Sequence, residues 1–152
     1  MIIRCIGHAE FLIELENGTR IVTDPYDASC GYPVERIAAD VVLVSHGHHD
    51  HNAVENVISP TTIISTAGVY EPEEGVRVKA VEADHDDAGG SKRGKSLMFC
   101  MEAEGLRVMH LGDLGHIPTE GERLEWNDFQ IEIIDNLGNV SLVEIIEHFK
   151  RS

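Results

Sequence analysis

Four histidines and one aspartate fall within a single short segment, Ser45-His46-Gly47-His48-His49-Asp50-His51. Imidazole and carboxylate side chains together suit zinc, manganese or iron. His46 and His48 stand two apart at the end of an apolar run. In an extended chain, residues i and i+2 point to the same side, so both rings can reach one cation. Asp50 and His51 follow where the chain turns, and they can aim at a second, neighbouring position. The plain alternative is a polar surface loop, but that would give no reason for so many imidazoles together. His49 falls out of step with the others and is expected to be solvated.

The elements that must hold this segment are short strands. Val41 to Val44 is a β-branched apolar run, as in a buried strand, and it leads directly into the histidines. Phe11, Ile13 and Leu15 alternate with Glu10, Glu14 and Glu16, the pattern of a half-buried strand. Asn17-Gly18 then carries a type I′ hairpin signal. Arg20 to Thr23 returns as a strand and ends at Asp24-Pro25, where the proline stops the ladder. Thr61 to Ser65 and Val76 to Val81 are further strands. Leu97 to Met101 and Leu106 to Leu111 form a second hairpin around Glu104-Gly105. The two hairpins look alike: Gly18-Thr19-Arg20-Ile21 leads to Asp24, and Gly105-Leu106-Arg107-Val108 leads to Asp113. That likeness hints at an internal duplication, although exposed hairpins also converge on Gly and Arg. Leu142, Ile145, Ile146 and Phe149 make one apolar stripe of a C-terminal helix, with Ser141 and Glu144 as its capping box. Gly89 to Lys95 reads as a basic loop, either a solvated turn or a rim that attracts an anionic substrate.

Composition bounds what such a site could serve. The chain has 152 residues, enough for one domain with a true core. Its formal net charge of −15 argues against a sequence-independent nucleic-acid binder, which needs clustered Lys and Arg. No apolar run is long enough to span a membrane, and the N-terminus has no apolar leader. Cys5, Cys30 and Cys100 are sparse, odd in number and unpaired in motif, which reads as free thiols in a reducing, cytoplasmic setting.

In order and spacing, His46 to His51 is a His-x-His-x-Asp-His motif and resembles the metallo-β-lactamase superfamily. Thr23-Asp24-Pro25 before it, Asp84-His85-Asp86 after it and His110-Leu111-Gly112-Asp113-Leu114-Gly115-His116 beyond are similar to the same family. Gly7-His8-Ala9 and the Gly-Asp-x-Gly-His form resemble the metal-dependent hydrolase branch that includes ascorbate-6-phosphate lactonase. The resemblance runs from Met1 to about Pro118. It implies a single α/β domain over residues 1–152, an αββα sandwich shortened at its C-terminus. It implies that His46, His48 and His85 bind a first metal, that Asp50 and His51 bind a second, and that Asp113 bridges them. One or two divalent ions would then hold a hydroxide that attacks a small ester, lactone or phosphoester, with Asp50 accepting a proton. Zinc comes first, with manganese or iron as alternatives.

Each added residue has a plainer reading. His85 could be a solvated loop histidine and Asp113 a turn cap. Asp24 could orient a histidine ligand or make an Asx-turn. His8 and His116 could line the pocket or be ordinary polar positions, and Tyr26 and Trp126 read as packing residues. The family pattern also calls for a last strand and a last histidine. Gln130 to Asn136 and Val140 to Lys150 resemble a strand and helix before them, and the sequence stops at Ser152. His148 lies on the helix's polar stripe and is not expected to serve as that ligand. The second site is therefore expected to be one protein ligand short, and a homo-oligomer is expected to follow from the uncovered sheet edge. The rival reading is a non-catalytic metal-binding or assembly protein with an incomplete second site. A redox diiron relative is weaker still, for want of a flavin-binding companion.

Overall fold

The computed structural model describes residues 1–116. Eleven strands follow one another: β1 (Ile2–Gly7), β2 (Glu10–Glu14), β3 (Arg20–Thr23), β4 (Ile37–Ala38), β5 (Val41–Leu43), β6 (Val57–Ile58), β7 (Thr62–Ile64), β8 (Gly68–Glu73), β9 (Val76–Asp84), β10 (Lys95–Ala103) and β11 (Leu106–His110). Among the described residues the only helical turns are two short 3₁₀ segments, Ala28–Cys30 and Val54–Asn56, and no helix is long and apolar enough to cross a membrane. Trp126, the strand expected at 130–136 and the helix expected at 140–150, with Ser141, Glu144 and His148, lie outside the described residues.

Two sheets form the body of the domain. One has the order β1-β2-β3-β5-β7, antiparallel through β3 and parallel from β3 to β7. The other has the order β11-β10-β9-β8 and is antiparallel throughout. Ile13, Ile21, Val41, Leu43 and Ile64 from the first face Val78, Ala80, Leu97, Phe99 and Met101 from the second in one buried cluster. This is the two-sheet centre of the expected sandwich.

β2 departs from the half-buried reading. Glu10, Phe11, Leu12 and Ile13 are all buried. The face expected to meet solvent carries Leu12 and Val22 into a second cluster with Ile37, Ala39, Val42, Val44 and Val57, built around the small parallel β4–β6 pair. Glu10 is buried as well, and burial pushes its carboxyl up to about 7. β1 and β8 were not evident from periodicity, because each lies at a sheet edge among the described residues and keeps much of its surface exposed.

The turn chemistry also differs from expectation. At Asn17-Gly18 only Gly18 has positive φ, and the Gly18 N–H bonds the Leu15 carbonyl at 3.0 Å. That is a three-residue loop, not a type I′ turn, which needs positive φ at both central residues. The type I′ pattern occurs instead at Glu104-Gly105, with φ of 54° and 73° between the paired Ala103 and Leu106.

Phe99 is 1% exposed at the middle of the inter-sheet cluster. Truncating a buried phenylalanine typically costs about 3–5 kcal/mol. Phe99→Ala should therefore lower the unfolding free energy measured in urea by that order and move the midpoint down, and an unchanged midpoint would contradict this packing.

Candidate metal centre

The centre stands at the carboxyl end of the parallel strands. β3 and β5 pair with Thr23 opposite Leu43, so Asp24 comes level with the exit of β5. The Asp24 N–H donates to the Leu43 carbonyl at 2.8 Å. Its carboxylate is fully buried and accepts from the Ser45 N–H at 2.7 Å, the Ser45 hydroxyl at 2.6 Å and His51 Nδ1 at 2.8 Å. Using Nδ1 on Asp24 leaves His51 Nε2 aimed at the centre. Ser45 Oγ also lies 2.8 Å from His46 Nδ1, which turns His46 Nε2 the same way. His46 Nε2 is buried and has no hydrogen-bond partner among the described residues.

The second sheet brings the other residues. The Leu97 N–H donates to the Ser45 carbonyl at 2.7 Å, which ties β10 to the exit of β5. His85 follows β9 and is buried, not solvated. Its loop is folded around Asp86, whose carboxylate accepts the N–H groups of Ala88, Gly90, Lys92 and Arg93 at 2.7–3.0 Å. Burial alone would raise the Asp86 carboxyl, but these bonds outweigh it and hold it at about 2. Lys92 pairs with Asp87 and Lys95 with Asp84, so both lysines of the basic loop engage the loop's own acids.

Asp113 follows β11, with its N–H on Ser96 Oγ at 3.1 Å. Two glycines make this approach feasible. A Cβ on Gly112 would lie 2.6 Å from the Leu97 carbonyl, and one on Gly115 would collide with the backbone of His85 and Asp86.

These contacts gather three overlapping sets: His46, His48 and His85; His8, Asp50 and His51; and His46, His51 and Asp113. Within each set the ligand atoms lie within 4.8 Å of one another. Asp113 Oδ2 is 3.1 Å from His85 Nε2, 3.2 Å from His51 Nε2 and 3.7 Å from His46 Nε2. Asp113 thus stands between the sets, and its carboxylate points into the centre instead of back at its own turn. Donors at about 2.0–2.1 Å from one tetrahedral ion lie about 3.3 Å apart, so these separations fit divalent cations. The orphaned His46 nitrogen fits as well, since a buried polar atom needs a partner.

Electrostatics agree with that fit. Burial, helped by the charge on His51, pushes the His46 imidazole down to about 4 and keeps it neutral, the form that binds metal. Burial would also lower His51, but hydrogen bonds and charge from Asp113 and Asp24 together push it up to about 10. Burial would raise Asp113, yet the bond from His51 and the surrounding imidazoles hold it at about 2.

His116 lies next to this loop, with Nδ1 3.0 Å from the Asp84 carbonyl, and belongs to none of the three sets. His49 points outward to Ser29 and Asp27. The sequence left His8 either lining the pocket or an ordinary polar position, and here it reaches Asp50 and His51 directly. Sequence reasoning missed His110, which is buried with Nε2 3.1 Å from the Ala9 carbonyl and Nδ1 accepting the Gly112 N–H at 3.2 Å. The signal was present, since His110 opens the same motif that carries Asp113.

Comparison with known proteins points the same way. A family model described as a beta-lactamase superfamily domain matches residues 2–137. A UPF0173 metal-dependent hydrolase of Thermococcus onnurineus is 30% identical over 138 residues, covering 73% of this chain and 60% of the relative. One from Methanosphaera stadtmanae is 43% identical over 75 residues, covering 45% of this chain and 32% of the relative. Among solved structures, a candidate zinc-dependent hydrolase of the metallo-beta-lactamase superfamily from Thermotoga maritima superposes with a TM-score of 0.59 at 39% identity, covering 78% of this chain and 53% of that one. A candidate metal-dependent hydrolase from Parabacteroides distasonis shares the fold, with a TM-score of 0.57 at 19% identity over 74% of this chain and 60% of that one. The chain spans less than two thirds of the length of each of these relatives.

Asp24 and His51 are both fully buried, and His51 is charged at neutral pH. Removing one partner of such a pair typically costs about 3–5 kcal/mol. Asp24→Ala should lower the stability of metal-free protein at pH 7 by that order in denaturant unfolding. A loss under about 1 kcal/mol, the typical range of exposed ion pairs, would show that the pair does not hold the centre together.

Proposed function

Because the chain belongs to the metallo-β-lactamase superfamily, we propose that it performs metal-dependent hydrolysis of a small ester, lactone or phosphoester. The observation that carries this reading is the convergence of His46, His48 and His85 on one point, with Asp113 between them and His51. Divalent ions, with zinc the first choice and manganese or iron the alternatives, supply Lewis acidity when bound and lower the pKa of water to about 7. His46, His48 and His85 would hold a first ion, Asp50 and His51 would serve a second, and Asp113 stands within reach of both groups.

The protein's own groups divide the remaining work. Asp24 fixes the tautomer of His51 by accepting a hydrogen bond from its Nδ1–H, the usual task of a carboxylate behind a metal-binding histidine. His46, His51 and His85 are buried, whereas His8, Asp50 and Asp113 keep 23–33% of their side chains accessible and His48 is exposed. The open side of the centre, where a substrate would enter, therefore carries His8, His48 and Asp50. Burial works against ionisation of Asp50, but the charge on His51 and its own backbone bond hold its carboxyl below the usual range. It is available as an ionised proton acceptor beside the reacting group.

Two measurements test this reading. Chelation should abolish hydrolysis of an ester, lactone and phosphoester panel, and added zinc or manganese should restore it. Asp113→Ala should lose both hydrolysis and bound metal. Unchanged turnover of that variant in a metal-replete assay would rule out the assigned role. Metal content also separates catalysis from a purely binding function, which would keep one ion closed to water.

A further inference from the structure

His8 belongs to the β1–β2 turn and lies 42 residues before Asp50 in sequence, yet its ring sits inside the centre. His8 Nε2 is 3.2 Å from Asp50 Oδ2 and 3.3 Å from His51 Nε2, and His51 Nε2 is 3.7 Å from Asp50 Oδ2. Three donors around one tetrahedral ion at about 2.0–2.1 Å would lie about 3.3 Å apart. The observed triangle is close to that size.

The turn is also built to hold His8 in place. His8 has φ of 51°, a left-handed conformation that histidine tolerates better than most residues. On one side, Gly7 packs under Tyr26, whose hydroxyl would lie 2.7 Å from any Cβ at that position. On the other, the Ala9 carbonyl accepts from Thr23 Oγ1 and lies against His110 Nε2, both at 3.1 Å. Thr23 adjoins Asp24, and His110 lies three residues before Asp113. The elements that set the other ligands therefore also clamp both neighbours of His8. A histidine that merely lined the pocket would not need this support.

We propose that His8 is a direct ligand of the second cation, joining Asp50 and His51 to complete a three-residue face with Asp113 behind it. The inference rests on the two-cation reading above and deepens it. It gives the second position a protein ligand from the N-terminal turn.

The test is stepwise titration of metal-free protein with zinc and with cobalt, reading stoichiometry, each dissociation constant and the cobalt absorption spectrum. Wild type should take two ions per chain. His8→Asn keeps a side chain suited to the left-handed turn and removes the imidazole. It should bind the first ion as wild type does and the second at least about 10–100-fold more weakly, the loss seen when even an orienting partner is removed. Its cobalt spectrum should change only on the second equivalent. Free imidazole added to His8→Ala should restore the second ion. Two ions held by His8→Asn with wild-type affinities would overturn this proposal and leave the hydrolase reading standing. A wild type that takes no metal would overturn both.

Discussion

A carboxylate with no access to water persists only where hydrogen bonds replace its solvation. Asp24 meets that condition with the Ser45 N–H, the Ser45 hydroxyl and His51 Nδ1. The rest of the centre depends on this arrangement. The parallel register of β3 and β5 puts Asp24 beside Ser45 and nowhere else. Once Ser45 is held, its hydroxyl faces His46, and its carbonyl receives the Leu97 N–H from the opposite sheet. One buried aspartate thus orients two imidazoles and helps lock the sheets together at the site. Its φ of 39° is the local strain this position carries, and such strain collects at functional sites because the surroundings over-determine it.

The charges around that hub are arranged by position more than by number. Asp24, Asp50 and Asp113 surround His51, and the combined field keeps its imidazole protonated well above neutral pH. His46, one ring away, is driven the other way by burial and by that same imidazolium. The centre therefore carries one strongly held proton among carboxylates that favour positive charge. A cation that uses His51 Nε2 has to displace that proton, so metal uptake and proton release are coupled here.

The sequence was informative where chemistry is local. The spacing of His46, His48, Asp50 and His51 follows from strand geometry and can be read from adjacent residues. β2, β3, β5, β7, β9 and the β10–β11 hairpin were legible because apolar runs and turn residues mark them. Long-range contacts were not legible. Nothing near His8 announces that it meets Asp50, and nothing near His110 announces that it braces the β1–β2 turn. The burial of β2 on both faces was not legible because the cover over Leu12, β4 and β6, is only two residues per strand. The basic loop was open to two readings, a solvated turn or an anion-attracting rim, and the sequence does not show that Asp84 and Asp87 engage its lysines.

The likeness between the two hairpins can now be judged by what each aspartate does. Asp24 and Asp113 both end a returning strand after Gly, a spacer and Arg, but their neighbours differ. β3 is an interior strand with β5 beside it, so N–H and hydroxyl donors from Ser45 draw the Asp24 carboxylate inward. β11 pairs with β10, and among the described residues no backbone donor is bonded to the Asp113 carboxylate. The Asp113 N–H is satisfied by Ser96, which leaves its carboxylate to reach His85 and His51. The turns differ as well: positive φ falls on Gly18 alone in the first hairpin and on both Glu104 and Gly105 in the second. Similar local sequence has therefore been put to two uses by the donors that surround each carboxylate. Asp24, drawn inward by Ser45 and His51, becomes the orienting anchor, and Asp113 becomes the group presented to the centre.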